Sequence, residues 1–295
     1  DLSTVLLNQQ DTTLITVGVV LITIAFMFKL GAAPLHYWLP DIYQGTKLTI
    51  TTLIATTPKF AALILMGRIF SHMLSDFADI WQPILFAFAV MSLLMGTMGA
   101  YVQTNIKRFL AYSSTMNIGF VLAAMATFSA HGYGASILYM SIYMMTLITI
   151  FASFMVLKKR NYDIADIADL KGISEKYPYV GFVICLCFLS LAGLPPLPGF
   201  ISKLYVLYAL LLDDHYIIAA ITVISTVIAC AYYLNILKSL IIDSIDKVFR
   251  TYKTKHTGMV IKIVVIFLLS VLLLVLVMPS LWIQFFHKAA IDLLH

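Results

Sequence analysis

The chain has 295 residues, 61% of them hydrophobic and 11% charged, and its mean hydropathy is +0.97. A soluble domain has about a quarter of its residues charged, so a fold with water as its main solvent is excluded. Nineteen Lys and Arg against fourteen Asp and Glu give +5, which in a membrane chain bears on orientation and anionic lipid; no nucleic-acid signature accompanies it.

Asp1 rather than Met opens the sequence, and no signal-peptide pattern precedes the first apolar run, so the true amino terminus is expected elsewhere. Runs able to cross ~30 Å of hydrocarbon, about 20 residues each, cover 14–36, 48–70, 83–102, 109–128, 133–157, 179–212, 216–242 and 259–278. In lipid these must be helices, because nothing else open-ended satisfies its own backbone. The expected fold class is therefore an all-α, polytopic membrane protein of about eight transmembrane helices.

The first run carries Lys29 and then the helix-breaking stretch Lys29-Leu-Gly-Ala-Ala-Pro34; the second carries Pro58 and Lys59, eleven residues from either end of 48–70. In the fourth, Ser113, Ser114 and Asn117 read as helix-packing groups. The connector from Lys158 to Tyr177, with Asp163, Asp166, Asp169 and Glu175 among its bases, reads as a solvated linker with a short surface helix. In the sixth run Leu194-Pro-Pro-Leu-Pro-Gly199 breaks the helix just before Lys203, whereas Lys262 in the last run is near enough to an end to snorkel out. Cys185, Cys187 and Cys230 lie in apolar runs and read as packing residues. Tyr37, Trp38, Trp81 and Trp282 lie near span ends and read as interfacial anchors.

Connectors after alternate spans share a side. Those near Lys47, Lys107–Arg108, 158–176 and 247–255 hold most of the positive charge; the other set holds Asp76, Asp79, His131, Asp213 and Asp214. The positive-inside rule puts the Lys-rich set in the cytoplasm or matrix.

Lys29, Lys59 and Lys203 each cost ~2.5–3.5 kcal/mol to place at membrane depth, which marks them as functional candidates. Interrupted helices point to transport sites and to related halves of a repeat, and a buried amine can be brought to a pKa at which it takes and releases protons. No Asp or Glu lies within any of the eight runs. The amines are then either neutral for much of the time or met by a carboxylate from elsewhere.

Around these lysines the sequence resembles the antiporter-like subunit 2 of mitochondrial NADH dehydrogenase, subunit N in bacteria, of respiratory complex I. The resemblance rests on Lys29-Leu-Gly-Ala-Ala-Pro-Leu-His36-Tyr-Trp-Leu-Pro40-Asp41, Leu53-Ile-Ala-Thr-Thr-Pro-Lys59, Gln103-Thr-Asn-Ile-Lys107-Arg108, Ala111-Tyr-Ser-Ser114 and Leu189-Ser-Leu-Ala-Gly193 through Lys203. It implies the C-terminal part of an inverted-repeat antiporter-like fold with two discontinuous helices: residues 1–70 ending a first repeat, 71–245 a second, and 246–295 a C-terminal helix. It also implies a midplane proton relay of Lys29, Lys59 and Lys203, with Lys107 auxiliary, and a Glu partner for Lys29 on helices preceding residue 1. Asn117 stands where the family usually has His, and Lys47 where it usually has Ala-Pro.

The function so implied is proton translocation within NADH:ubiquinone oxidoreductase, in the mitochondrial inner membrane or a bacterial plasma membrane. The other readings are a cation/proton antiporter subunit and a scaffold that has lost pumping. No dinucleotide loop, flavin signature or cluster-binding cysteine pattern is found. NADH, FMN, iron–sulfur clusters and ubiquinone are accordingly expected in partner subunits, with other membrane subunits and lipid as contacts and no nucleic acid.

Overall fold

The computed structural model describes residues 12–157, 164–241 and 259–294. Among them the chain is helical and without strands. Helix α1 (Thr12–Leu30) stops at the first break and resumes as α2 (Trp38–Gly45); α3 (Leu48–Ala55) and α4 (Thr57–Arg68) follow, separated by a kink at Thr56. After a π turn (Ile69–Met73) and a 3₁₀ turn (Ser75–Phe77) come α5 (Ala78–Tyr101), α6 (Ile106–Met125) and α7 (Ala130–Leu157). A 3₁₀ turn (Ile167–Leu170) and the single turn α8 (Ile173–Lys176) lead to α9 (Pro178–Ala192), α10 (Pro198–Leu212), α11 (Tyr216–Ile241), α12 (Met259–Val277) and α13 (Pro279–Leu294).

Five stretches are each long and apolar enough to cross a membrane: Thr13–Leu30, Leu48–Met73, Ser75–Tyr101, Ala130–Leu157 and Tyr216–Ile241. The bent α12–α13 pair, 97° apart, makes up to six. The eight runs expected from sequence differ from these at two places, and both have a physical reason. Run 179–212 is divided into the shorter α9 and α10. Run 109–128 corresponds to α6, which is buried along nearly its whole length. Enclosed by other helices, α6 needs no lipid-compatible surface and can carry Ser, Thr, Tyr and Asn.

The breaks at Gly31–Tyr37 and Gly193–Leu197 fall where the sequence placed them. The second run is interrupted as well, by a kink at Thr56 just before Pro58. There Pro58 lacks the N–H that would continue the helix, and Thr52 and Thr56 turn their hydroxyls back onto the carbonyls of Leu48 and Thr52, at 2.7 Å each, a pattern that adds to the bend. Helix α13 was missed. It follows Pro279 and packs Trp282, Ile283, Phe286 and Leu293 against the core, while Leu281 and Phe285 stay exposed.

The connectors meet within the two sets predicted from charge. At the Lys-rich end Arg108 reaches Asp41 at 2.6 Å, Ile106 and Ile167 donate to the carbonyls of Ala165 and Thr104, and Ser174 donates to Leu240 O. At the other end Ser129 donates to Asp213 and Ser71 to Leu293 O.

Two readings need correction. The connector, outside the undescribed 158–163, is docked rather than solvated: Leu170 is buried, and Asp166 and Asp169 close a capping box. Trp81 is no interfacial anchor either. It is fully buried, stacks near Phe70 and donates to Leu74 O at 2.8 Å. The Lys262 side chain, the 247–255 loop and the undescribed start of the connector lie outside the described residues.

Candidate functional site

A helix that stops in the membrane leaves carbonyls and amides without intrahelical partners, and water is not there to take them. At the first break Gly31 has φ +76°, a left-handed turn that suits glycine at a helix C-terminus. The freed groups are taken by neighbours: Thr115 Oγ1 of α6 donates to Gly31 O at 3.1 Å, and Ala33 N donates to Ser92 Oγ of α5 at 2.8 Å. At the second break Gly193, φ +83°, donates back to Leu189 O and Ser190 O, and Gly199 N donates to Ser190 Oγ at 3.0 Å.

A buried lysine sits against each glycine. Lys59, 1% exposed, lies in the first turn of α4, beside the Thr56 kink and Pro58. Its Nζ donates to Ser114 Oγ of α6 at 2.7 Å and stands 6.0 Å from the centre of the Tyr43 ring. A methyl group on Gly31 would come within 3.6 Å of it. Lys203, 7% exposed, donates to Leu191 O at 2.9 Å and Ala192 O at 3.2 Å, the last carbonyls of α9, and lies 5.3 Å from the Phe120 ring centre. The negative end of the α9 dipole therefore faces the amine.

Polar side chains of α6 lie between the two lysines. Ser114 holds Lys59; its neighbour Ser113 shares a 2.5 Å hydrogen bond with Tyr233 OH. One turn on, Asn117 Nδ2 donates to Ser113 O at 2.8 Å, and its Oδ1 accepts from Tyr139 OH at 2.7 Å. Asn117, Tyr139, Tyr143, Thr146, Ser190, Ser202 and Lys203 line a cavity of about 10 Å³, close to the room one water needs. Chemically, this is a cluster of hydroxyl and amide groups, with one amine bonded to Ser114 and the other lining the cavity.

The other two candidates lie elsewhere. Lys29, in the last turn of α1, is exposed. Lys107 is buried in the first turn of α6, its Nζ donating to Thr46 O at 2.6 Å. With a rise of 1.5 Å per residue it stands roughly 10 Å along the helix from Ser114.

The family profile described as NADH:quinone oxidoreductase/Mrp antiporter, transmembrane, matches residues 1–229. The chain belongs to this family. A relative from Ruthia magnifica, NADH-quinone oxidoreductase subunit N, is 35% identical over 94% of the chain and 57% of its own length. The subunit N of Pelagibacter ubique is 37% identical over 82% of the chain and 51% of its own length. The chain thus spans about half the length of the curated relatives it matches. Among solved structures, a chain of the Mrp complex from Dietzia superposes with TM-score 0.83 at 19% identity, over 94% of this chain and 59% of that one. A chain of respiratory complex I from Thermus thermophilus gives 0.74 at 23%, over 92% and 59%. At these identities the likeness is one of fold.

Several residues that this family member gathers around its lysines had not been singled out from sequence: Tyr43, Tyr139, Tyr143, Tyr233, Ser92 and Thr115. One signal was available. Aromatic anchors belong at span ends, so Tyr139, Tyr143 and Tyr233, well inside their runs, are as misplaced as a mid-span lysine is. Ser113, Ser114 and Asn117, read as packing groups, do bond to neighbouring helices and lie on α6 between the lysines.

Proposed function

We propose that the chain is the C-terminal part of an antiporter-like, proton-translocating subunit of a membrane NADH:quinone oxidoreductase, with Lys59 and Lys203 as proton carriers. The observation that carries this reading is the placement of two buried amines at helix breaks, with Ser114, Ser113, Asn117 and a water-sized cavity between them. A hydroxyl or water chain passes protons by exchange of hydrogen bonds, and an amine held by a hydroxyl and carbonyls without a carboxylate can lose its charge at moderate cost.

In this reading residues 1–70 end a first repeat and 71–245 form a second. The Lys-rich connectors face the side of proton uptake. Lys107, at that end, serves as an auxiliary member; Lys29 joins the relay through a carboxylate brought by a neighbouring chain or preceding segment, which its exposure on α1 leaves room for. The names of the relatives support NADH and quinone chemistry in the complex, which this reading assigns to partner subunits together with flavin and iron–sulfur centres, and their bacterial sources support a bacterial plasma membrane over the mitochondrial one.

Lys59→Met and Lys203→Met keep bulk and delete the titratable group. In the assembled complex each should lower protons pumped per electron while quinone reduction continues. Unchanged stoichiometry in both would sink the relay. Transport that depends on sodium rather than on electron transfer would favour the antiporter alternative.

A further inference from the structure

At the end opposite the Lys-rich connectors, the second residue of α7 meets the helix that the sequence reading missed. The rings of His131 and His287 stack at 4.3 Å between centroids with an interplanar angle of 19°. Both histidines are half-buried, and the Nδ1 atom of each is buried with no hydrogen-bond partner among the described residues. Tyr208 of α10 presents its ring edge-on to His131 at 5.7 Å. Asp213, just past α10, acts on His131 electrostatically and is held by Ser129 Oγ at 2.8 Å.

We propose that His131 and His287 form one shared proton site, with Asp213 as its counter-charge, through which protons leaving the Lys203 cavity reach the surface. This rests on the carrier reading above. Two imidazolium rings face to face at this spacing repel strongly in a partly buried place. The pair therefore takes a second proton with much more difficulty than a first, as coupled groups do. Asp213 stabilises the singly protonated pair.

Helix α10 connects this site to the lysine. Ser202, which lines the Lys203 cavity, Tyr205 and Tyr208 recur every three residues and so lie along one side of the helix. The Tyr205 and Tyr208 rings stand 6.4 Å apart, and the Tyr205 hydroxyl is buried without a partner among the described residues. From Ser202 to Tyr208 the rise is roughly 9 Å. Among the described residues, the charged and titratable groups near the pair are Tyr205, whose hydroxyl approaches the same Gly134 as His287 does, Tyr208 and, just past α10, Asp213; Lys288 and Asp292 of α13 are exposed, as are Arg68 and His72 below the far end of that helix. Among the described residues no third His, Cys, Asp or Glu completes a metal shell.

The test is histidine C2–H exchange read by mass spectrometry against pH, in the assembled complex in lipid nanodiscs. His131 and His287 should titrate in two steps at least tenfold apart in proton affinity. In His287→Phe, which keeps the stacked ring, His131 should titrate in a single step and hold its proton several-fold more tightly. The double variant His131→Phe/His287→Phe should pump several-fold more slowly and lose its dependence on outer pH. One common step for both histidines in the wild type overturns the shared site; so does a His131 titration unchanged in His287→Phe. A double variant pumping with the wild-type outer-pH profile overturns the exit role. If the double variant fails to assemble, exchange in the wild type and in His287→Phe still decides. Loss of the carrier reading is scored separately, by full pumping in Lys203→Met.

Discussion

The two helix breaks use the same parts with different degrees of completeness. In each, a glycine in the left-handed region ends a helix and a lysine lies against it. At the second break the lysine comes from the next helix, eleven and twelve residues after the carbonyls it binds, and both hydrogen bonds are local to that hairpin. The first break is assembled from distant pieces: Lys59 comes across from α4 to a hydroxyl of α6, and the Gly31 carbonyl is taken by Thr115, 84 residues away. Beside it Phe28 and Lys29 are exposed on α1. The second site is self-contained; the first has a finished inner side and an open outer one.

The most severe way to break this comparison is at the glycines. A Cβ at Gly193 would stand 2.9 Å from Lys203 Cδ and 3.1 Å from its Nζ, besides straining a positive φ. At Gly31 the nearest atom would be Leu39 Cδ2 at 3.3 Å, the movable end of a side chain. Gly193→Ala should therefore cost roughly 2–4 kcal/mol and displace the amine, against about 1–2 kcal/mol for Gly31→Ala. Thermal unfolding of the two variants, with pumping measured in parallel, checks the order. Equal losses would mean that the lysine contact at Gly193 is not what distinguishes the sites.

How much of this was legible follows from the same particulars. Both glycine breaks announce themselves, because Gly and Pro punctuate a helix whatever surrounds them. The Thr56 kink is half legible: Pro58, two residues on, has no N–H for the helix and signals a bend, whereas the hydroxyls of Thr52 and Thr56 turned onto carbonyls four residues back do not show, since threonine is ordinary in an apolar run. The burial of Lys59 follows from its place eleven residues from either end of its run, whereas the exposure of Lys29 does not show in sequence: which face of a helix meets a neighbour is decided by tertiary packing, and α1 is apolar all round. The links of Ser113 to Tyr233 and of Tyr139 to Asn117 join residues 120 and 22 apart. No local pattern encodes such pairs. The pair of buried lysines and the helical fold were readable; the polar contacts that lie between them were not.

A smaller effect sharpens the contrast in how the two amines are held. Lys203 has two carbonyls, which no side-chain substitution removes, whereas the hydrogen bond of Lys59 goes to one hydroxyl. Ser114→Ala should cost about 1–3 kcal/mol, the range for leaving a buried polar group unsatisfied. It should lower pumping more than Ser202→Ala, whose hydroxyl bonds Gly199 O and not the lysine. Ser114→Thr, which keeps the hydroxyl, should recover part of the rate. If Ser114→Ala pumps normally, water rather than Ser114 supports the amine, and the first site is as self-sufficient as the second.

The smallest effect is expected at the Lys-rich end, away from both breaks. Arg108 pairs with Asp41 at 2.6 Å, and also donates to Gln44 Oε1 at 3.0 Å. The two side chains are 31% and 74% exposed, however, so solvent screens the pair and it contributes no more than about 0.5–1 kcal/mol. Asp41→Asn keeps a hydrogen-bond acceptor for Arg108 while removing the charge, and should shift the unfolding midpoint by less than about 3 °C. Its use is as a control on the first break. Asp41 lies on α2, directly after that break, so a variant that left stability intact but cut pumping severalfold would mean that charge at the entrance, and not the buried amine alone, drives the first site. The expected result is near-normal pumping with a shift that shrinks further in high salt, which would leave the difference between the two breaks where the buried geometry puts it.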